Sequence, residues 1–167
     1  MNLLKLISLV VAAALLVPAV ARTSATSKAP ASDSDSINMQ ILRDKVKADK
    51  RLAVAQNMEL TDSEATSFWP IYDSYQADLG KINERMKQVV LGYAAAYRAG
   101  AVPNETAHKL LQESLATQDA DVQLVRSYVP KLEKALPECK VARYIQIETK
   151  IRAVIRYELA SQIPLVD

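Results

Sequence analysis

The sequence predicts an all-α fold of about four helices built around a long antiparallel helical hairpin. Three observations carry this. Glycine occurs only three times in 167 residues and strand-like alternation is absent. Two long stretches place apolar residues in alternating steps of four and three, the spacing of a helical seam. A short segment of turn residues, Ala99-Gly100-Ala101-Val102-Pro103-Asn104, separates them. Ala, Leu, Gln, Glu and Lys are plentiful, all of them good helix formers.

The N-terminus has the three-part grammar of a secretory signal peptide. Lys5 supplies positive charge, Leu6 to Val17 is apolar apart from Ser8, and Ala19-Val20-Ala21 is a small-x-small cleavage site before Arg22. A spanning helix needs about 20 apolar residues. Here the run breaks at Pro18 and turns polar at Arg22, so residues 1–21 are expected to be removed after Ala21 rather than kept as an inner-membrane anchor. No cysteine follows to take a lipid, so the expected location is free in the periplasm, without stable membrane insertion. Residues 22–36, rich in Ser, Thr and Ala, read as a flexible lead that buries too little surface to offset its ordering entropy. Residues 37–167 form a single helical domain in this reading.

A net charge of +2, smaller still without Lys5, excludes the strongly basic profile of a nucleic-acid binder. Cys139 is the lone cysteine, so no internal disulfide can staple the fold. It reads as a small buried hydrophobe, the alternative being a thiol that pairs with another chain.

The first helix is expected from an N-cap at Ser36 to about Asn57, with Ile37, Ile41, Leu42 and Val46 as a partial apolar stripe. Its middle is basic: Arg43, Lys45, Lys47, Lys50 and Arg51 face only Asp44 and Asp49. That run is either a solvated face, partly neutralised by pairs such as Asp44 with Lys47, or a surface for an acidic partner.

Thr61-Asp62-Ser63-Glu64 is a capping box that starts the second helix. Its seam is Phe68, Tyr72, Tyr75, Leu79, Ile82, Met86, Val89, Tyr93 and Tyr97. Pro70 is expected to kink it or to begin a new segment, and Pro130 to kink the returning arm. Gly80 and Gly92 each weaken the helix by about 1 kcal/mol and are expected to mark close packing. The returning seam is Leu111, Leu115, Gln118, Val122, Val125, Val129, Leu132 and Leu136, with Gln118 as a polar register mark. Pro137 suits the first turn of a fourth helix bounded by Pro164, with Val141, Tyr144, Ile147, Ile151, Val154 and Ile155 on its apolar side. The tail from Ile163 to Val166 is apolar and is expected to dock onto the body.

The turns that open the second and fourth helices can be superposed, Leu60-Thr61-x-x-Glu64 on Leu136-Pro137-x-x-Lys140. With them the chain resembles the Spy/CpxP-like periplasmic proteins, whose signature is a paired Leu-Thr-x-x-Gln turn opening long helices. Leu60, Thr61 and Glu64 match the first copy with Glu in the last place, and Leu136, Pro137 and Lys140 form a degenerate second. Phe68 to Tyr75 and Val141 to Val166 also look like an uncharacterised proteobacterial branch of that family. The resemblance implies a helical cradle, often a homodimer, that holds unfolded clients without nucleotide or modulates an envelope-stress sensor.

Catalysis needs converging groups of tuned pKa, and a zinc site needs three or four ligands. His108 and Cys139 are the only imidazole and thiol, and no phosphate loop or nucleophile motif occurs. The expectation is a binding protein rather than an enzyme, with no cofactor and no nucleic-acid partner. Trp69 and Tyr157 lie off the stripes and, with Arg43, Lys47, Lys50 and Arg51, are the candidate surface for unfolded or acidic clients. Two other classes stand beside it: a metal- or ligand-responsive accessory of a signalling system using His108 and Cys139, and a coiled-coil structural subunit whose seam closes on another copy.

Overall fold

The computed structural model describes residues 47–166. The signal peptide, the lead, the Ser36 cap, Arg43, Asp44 and the first apolar stripe through Val46 lie outside the described residues. Among the described residues 87% are helical and none is in a strand, which is the all-α class the periodicity predicts. The helices are α1 over 47–58, α2 Asp62–Arg98, α3 Asn104–Glu133 and α4 Glu138–Gln162. No helix among them is long and apolar enough to cross a membrane.

Two packed units divide the chain. In the larger one, residues 60–145 with 164–166, α2 and α3 form the antiparallel hairpin. Thr61 caps α2 as expected: its Oγ accepts from the Glu64 N–H at 3.3 Å, and the Thr61 N–H donates to Glu64 Oε2 at 2.8 Å. The helix runs uninterrupted through Pro70 to Arg98, 37 residues and about 55 Å at 1.5 Å per residue, so no new segment begins at the proline. Pro130 likewise sits inside α3, three residues before its end at Glu133.

Gly100 ends the outgoing arm with φ +104°, a backbone state that an L side chain enters only with strain. Gly80 is different, because a Cβ there would meet open space. Gly100→Ala should therefore lower stability by about 1–2 kcal/mol, whereas Gly80→Ala should raise it by about 1 kcal/mol. Urea titration of the two variants checks these opposite signs. Of the two helix-interior glycines expected to mark close packing, Gly92 does so, with Leu110 Cδ2 at 3.1 Å from the place its Cβ would occupy.

The α3 seam falls one residue before the expected one as far as Tyr128 and coincides with it at Leu132 and, beyond the helix, Leu136. The buried positions are Thr117, Asp121, Tyr128 and Leu132, with Leu110 and Leu124 half-buried on the same face. Leu111, Leu115 and Val122 stand 46–56% exposed, and Gln118 is exposed with its amide turned to the Ser114 carbonyl. The face that meets α2 carries a threonine and an aspartate, so the more apolar flank imitated the seam in the sequence.

The core of this unit is aromatic. Phe68, Tyr72, Tyr75, Tyr128 and Tyr144 are buried with Leu79, Leu132, Leu136 and Val141. The rings of Phe68 and Tyr144 meet edge to face at 5.1 Å, and Tyr75 meets Tyr128 at 5.3 Å and Tyr144 at 6.0 Å. Pro137 stands just before α4 rather than inside its first turn, and its carbonyl accepts the Val141 N–H at 3.1 Å, as an N-cap does.

The smaller unit comprises α1 with residues 146–163. Ala53, Val54, Met58 and Ile151 are buried there, and Glu59 ends α1 in the left-handed region at φ 50°. Glu148 is buried as well and accepts from Lys50 Nζ at 2.8 Å.

Candidate functional site

The two superposable opening turns make direct contact. Lys140, in the last place of the second turn, donates to Glu64 Oε2, which holds the last place of the first. Phe68 and Tyr144, four residues further along each helix, form the edge-to-face pair. Both pairs are separated by 76 positions, so equivalent residues of the two turns meet. Leu136 is buried and Leu60 half-buried on either side. The Lys140 ammonium, followed by the Thr61 N–H, holds the Glu64 carboxyl below its ordinary value. The stability this clasp supplies is present above about pH 4.5 and is lost as pH falls through the lowered folded value.

A second polar cluster ties the hairpin arms. Tyr128 donates to Asp78 Oδ2 at 2.7 Å, Lys81 reaches Asp78 Oδ1 at 2.8 Å, and Lys131 lies 3.9 Å over the Tyr128 ring. Lys81 and then Tyr128 keep the Asp78 carboxyl below its ordinary value. Burial first, and then the bond to Asp78, pushes the Tyr128 hydroxyl up to about 12. Between the ordinary value of 10 and about 12 the unfolded chain sheds this proton while the folded chain keeps it, so stability falls as pH rises through that window. The loss should be roughly 2–3 kcal/mol at about 1.4 kcal/mol per pH unit. Urea midpoints from pH 9 to 12 should fall more steeply for the parent than for Tyr128→Phe, once the common slope of the other tyrosines is subtracted.

Of the residues expected to meet clients, Trp69 belongs to the larger unit and Lys47, Lys50, Arg51 and Tyr157 to the smaller, while Arg43 lies outside the described residues. Trp69 is half-buried, edge-on to Phe68 at 5.0 Å and to Tyr72 at 5.3 Å, so it belongs to the flank of the aromatic core. Lys50 turns inward to Glu148, with its side chain 17% exposed, and Arg51 is half-buried. Lys47 is exposed and Tyr157 is 73% exposed. Cys139, expected to be buried, is exposed in the first turn of α4. His108 is exposed, and among the described residues no three His, Cys, Asp or Glu side chains lie close enough together to hold a metal ion.

What stands open instead is an apolar stripe of α3, Leu111, Leu115 and Val122. On α2, Tyr93 and Tyr97 stack at 6.0 Å with 29° between planes, and Tyr93 Oη donates to the Pro164 carbonyl at 2.9 Å. Spacing alone could have found the α3 stripe, because Leu111, Leu115 and Val122 are one stripe whichever way it points.

Compared with family models, with curated proteins and with solved structures, the chain matches none.

Proposed function

We propose that this chain is an exported, ATP-independent binding module of the Spy/CpxP-like type that holds unfolded polypeptides in the periplasm. The exposed stripe of Leu111, Leu115 and Val122 on a two-helix arm is the observation that carries the reading. Soluble chains rarely leave large contiguous apolar stripes uncovered unless a partner takes them. Two features support the family assignment: the cap of Thr61 on Glu64, and the Glu64–Lys140 contact between the two motif turns. The mechanism needs no reaction. An extended client lays apolar side chains along the stripe, each buried methylene contributes about 0.8 kcal/mol, and release follows when the client folds and withdraws them.

Light scattering of an aggregating client tests this with the mature chain, residues 22–167, and no nucleotide. Suppression is expected near stoichiometry, and a Leu111→Ser, Leu115→Ser, Val122→Ser variant that keeps its helical circular dichroism should lose most of it. Absence of suppression at stoichiometric excess overturns the proposal.

A further inference from the structure

We infer that α1 is an exchangeable arm: in a pair of chains each α1 docks on residues 146–163 of the other copy, so that Lys50 of one copy pairs with Glu148 of the second. Three observations meet at this arm. It is joined to α2 by only three residues, Glu59, Leu60 and Thr61. The first of these stands at φ 50°, in the left-handed region, which a glutamate occupies only where the surrounding structure holds it there. The docking of α1 is what holds it: Val54 and Met58 are fully buried, and Lys50 Nζ reaches Glu148 Oε2 at 2.8 Å.

None of these contacts requires that α1 and residues 146–163 belong to one chain. Exchange keeps them all and alters only the link, so the hinge decides between a closed single chain and an exchanged pair. In the pair both copies of Glu59 can relax out of the left-handed region, and short links under strain favour exchange for this reason. The ion pair sets the register. The Glu148 side chain is 1% exposed, and a buried carboxylate is poorly tolerated without its cation. A helix therefore docks well when it brings an ammonium to that position and apolar residues four and eight places later, as α1 does with Val54 and Met58. The α1 of a second copy meets every one of these requirements. The inference is independent of the client-binding reading, because the arm belongs to the smaller unit and the α3 stripe to the larger.

The test uses two variants of the mature chain, residues 22–167, one of them isotopically heavy. Lys50→Glu sets a carboxylate against Glu148, and Glu148→Lys sets an ammonium against Lys50. Each variant alone opposes like charges, whether its α1 docks on its own chain or on an identical copy. Only exchange between unlike chains restores an opposite-charge pair at both sites. After the two are unfolded together in urea and refolded, native mass spectrometry should show mixed pairs well above the statistical share. Their thermal midpoint should lie several degrees above that of either variant alone. Monomers after mixing, or mixed pairs at the statistical share, overturn the inference. The hinge gives a second reading that leaves the ion pair intact. Glycine enters the left-handed region without strain and a β-branched residue resists it, so sedimentation should show Glu59→Gly dimerising at least about tenfold more weakly than Glu59→Val. Equal dissociation constants for the two, or monomers for both over about a hundredfold range of concentration, overturn it as well.

Discussion

Tyr144→Ala is expected to lower the stability of the larger unit by about 3–5 kcal/mol, the range for removing a large aromatic side chain from a packed interior. Its side chain is fully buried where α2 and α4 meet, with ring neighbours Phe68 at 5.1 Å, Tyr75 at 6.0 Å and Tyr72 at 6.1 Å. No single side chain can collapse into a space that three rings border, so a cavity should remain and its cost add to the lost burial. The hydroxyl matters less. It accepts a long hydrogen bond of 3.4 Å from Gln76, so Tyr144→Phe should change stability by no more than about 1 kcal/mol. Urea titration with near-ultraviolet circular dichroism separates the two, because the alanine variant should lose the aromatic signal together with its midpoint. Tyr157→Ala is the control, and at 73% exposure it should stay within about 0.5 kcal/mol of the parent.

The same cluster shows how far the sequence could be read. The bounds of α2 were legible because its start is local chemistry, a threonine and a glutamate three residues apart that satisfy each other's backbone donors, and its end is a glycine that must turn left-handed. The aromatic half of its seam was equally legible, since Phe68, Tyr72, Tyr75 and Leu79 are both the most apolar residues and the buried ones. In α3 those two properties separate. The residues that face α2 include Thr117 and Asp121, and the leucines and valine stand one position later on the open flank. Hydrophobic periodicity finds the apolar stripe but not its direction, and this one points away from the core. The exposure of the α3 stripe is not legible in the sequence for that reason, and neither is the place of Trp69, which lies off the seam yet rests its edge on Phe68. The basic run misled in a similar way, because charge along one strand of sequence says nothing about which member turns inward to a carboxylate 98 residues away.

That inward member sets the second large expectation. Lys50→Met keeps the apolar stem but removes the ammonium 2.8 Å from Glu148, a carboxylate whose side chain is only 1% exposed. Truncating one partner of a buried ion pair costs about 3–5 kcal/mol, mostly because the remaining charge stays out of water without its counter-charge. Exposed pairs in the same chain set the scale: Lys87 with Glu84 and Arg85 with Glu113, all about half exposed, should each be worth under about 1 kcal/mol. Glu148 occupies a core position of α4, three residues before the buried Ile151, so its side chain could be hydrophobic without disturbing the packing pattern. A Lys50→Met, Glu148→Leu double variant should therefore recover most of the loss and can match or exceed the parent. The coupling energy from the four-member cycle, measured by urea titration at one pH, decides between the two accounts. A value near zero would mean that Lys50 serves as a solvated cation of the basic run. A value of about 2 kcal/mol or more would fix it as the tie that holds α1 to Glu148.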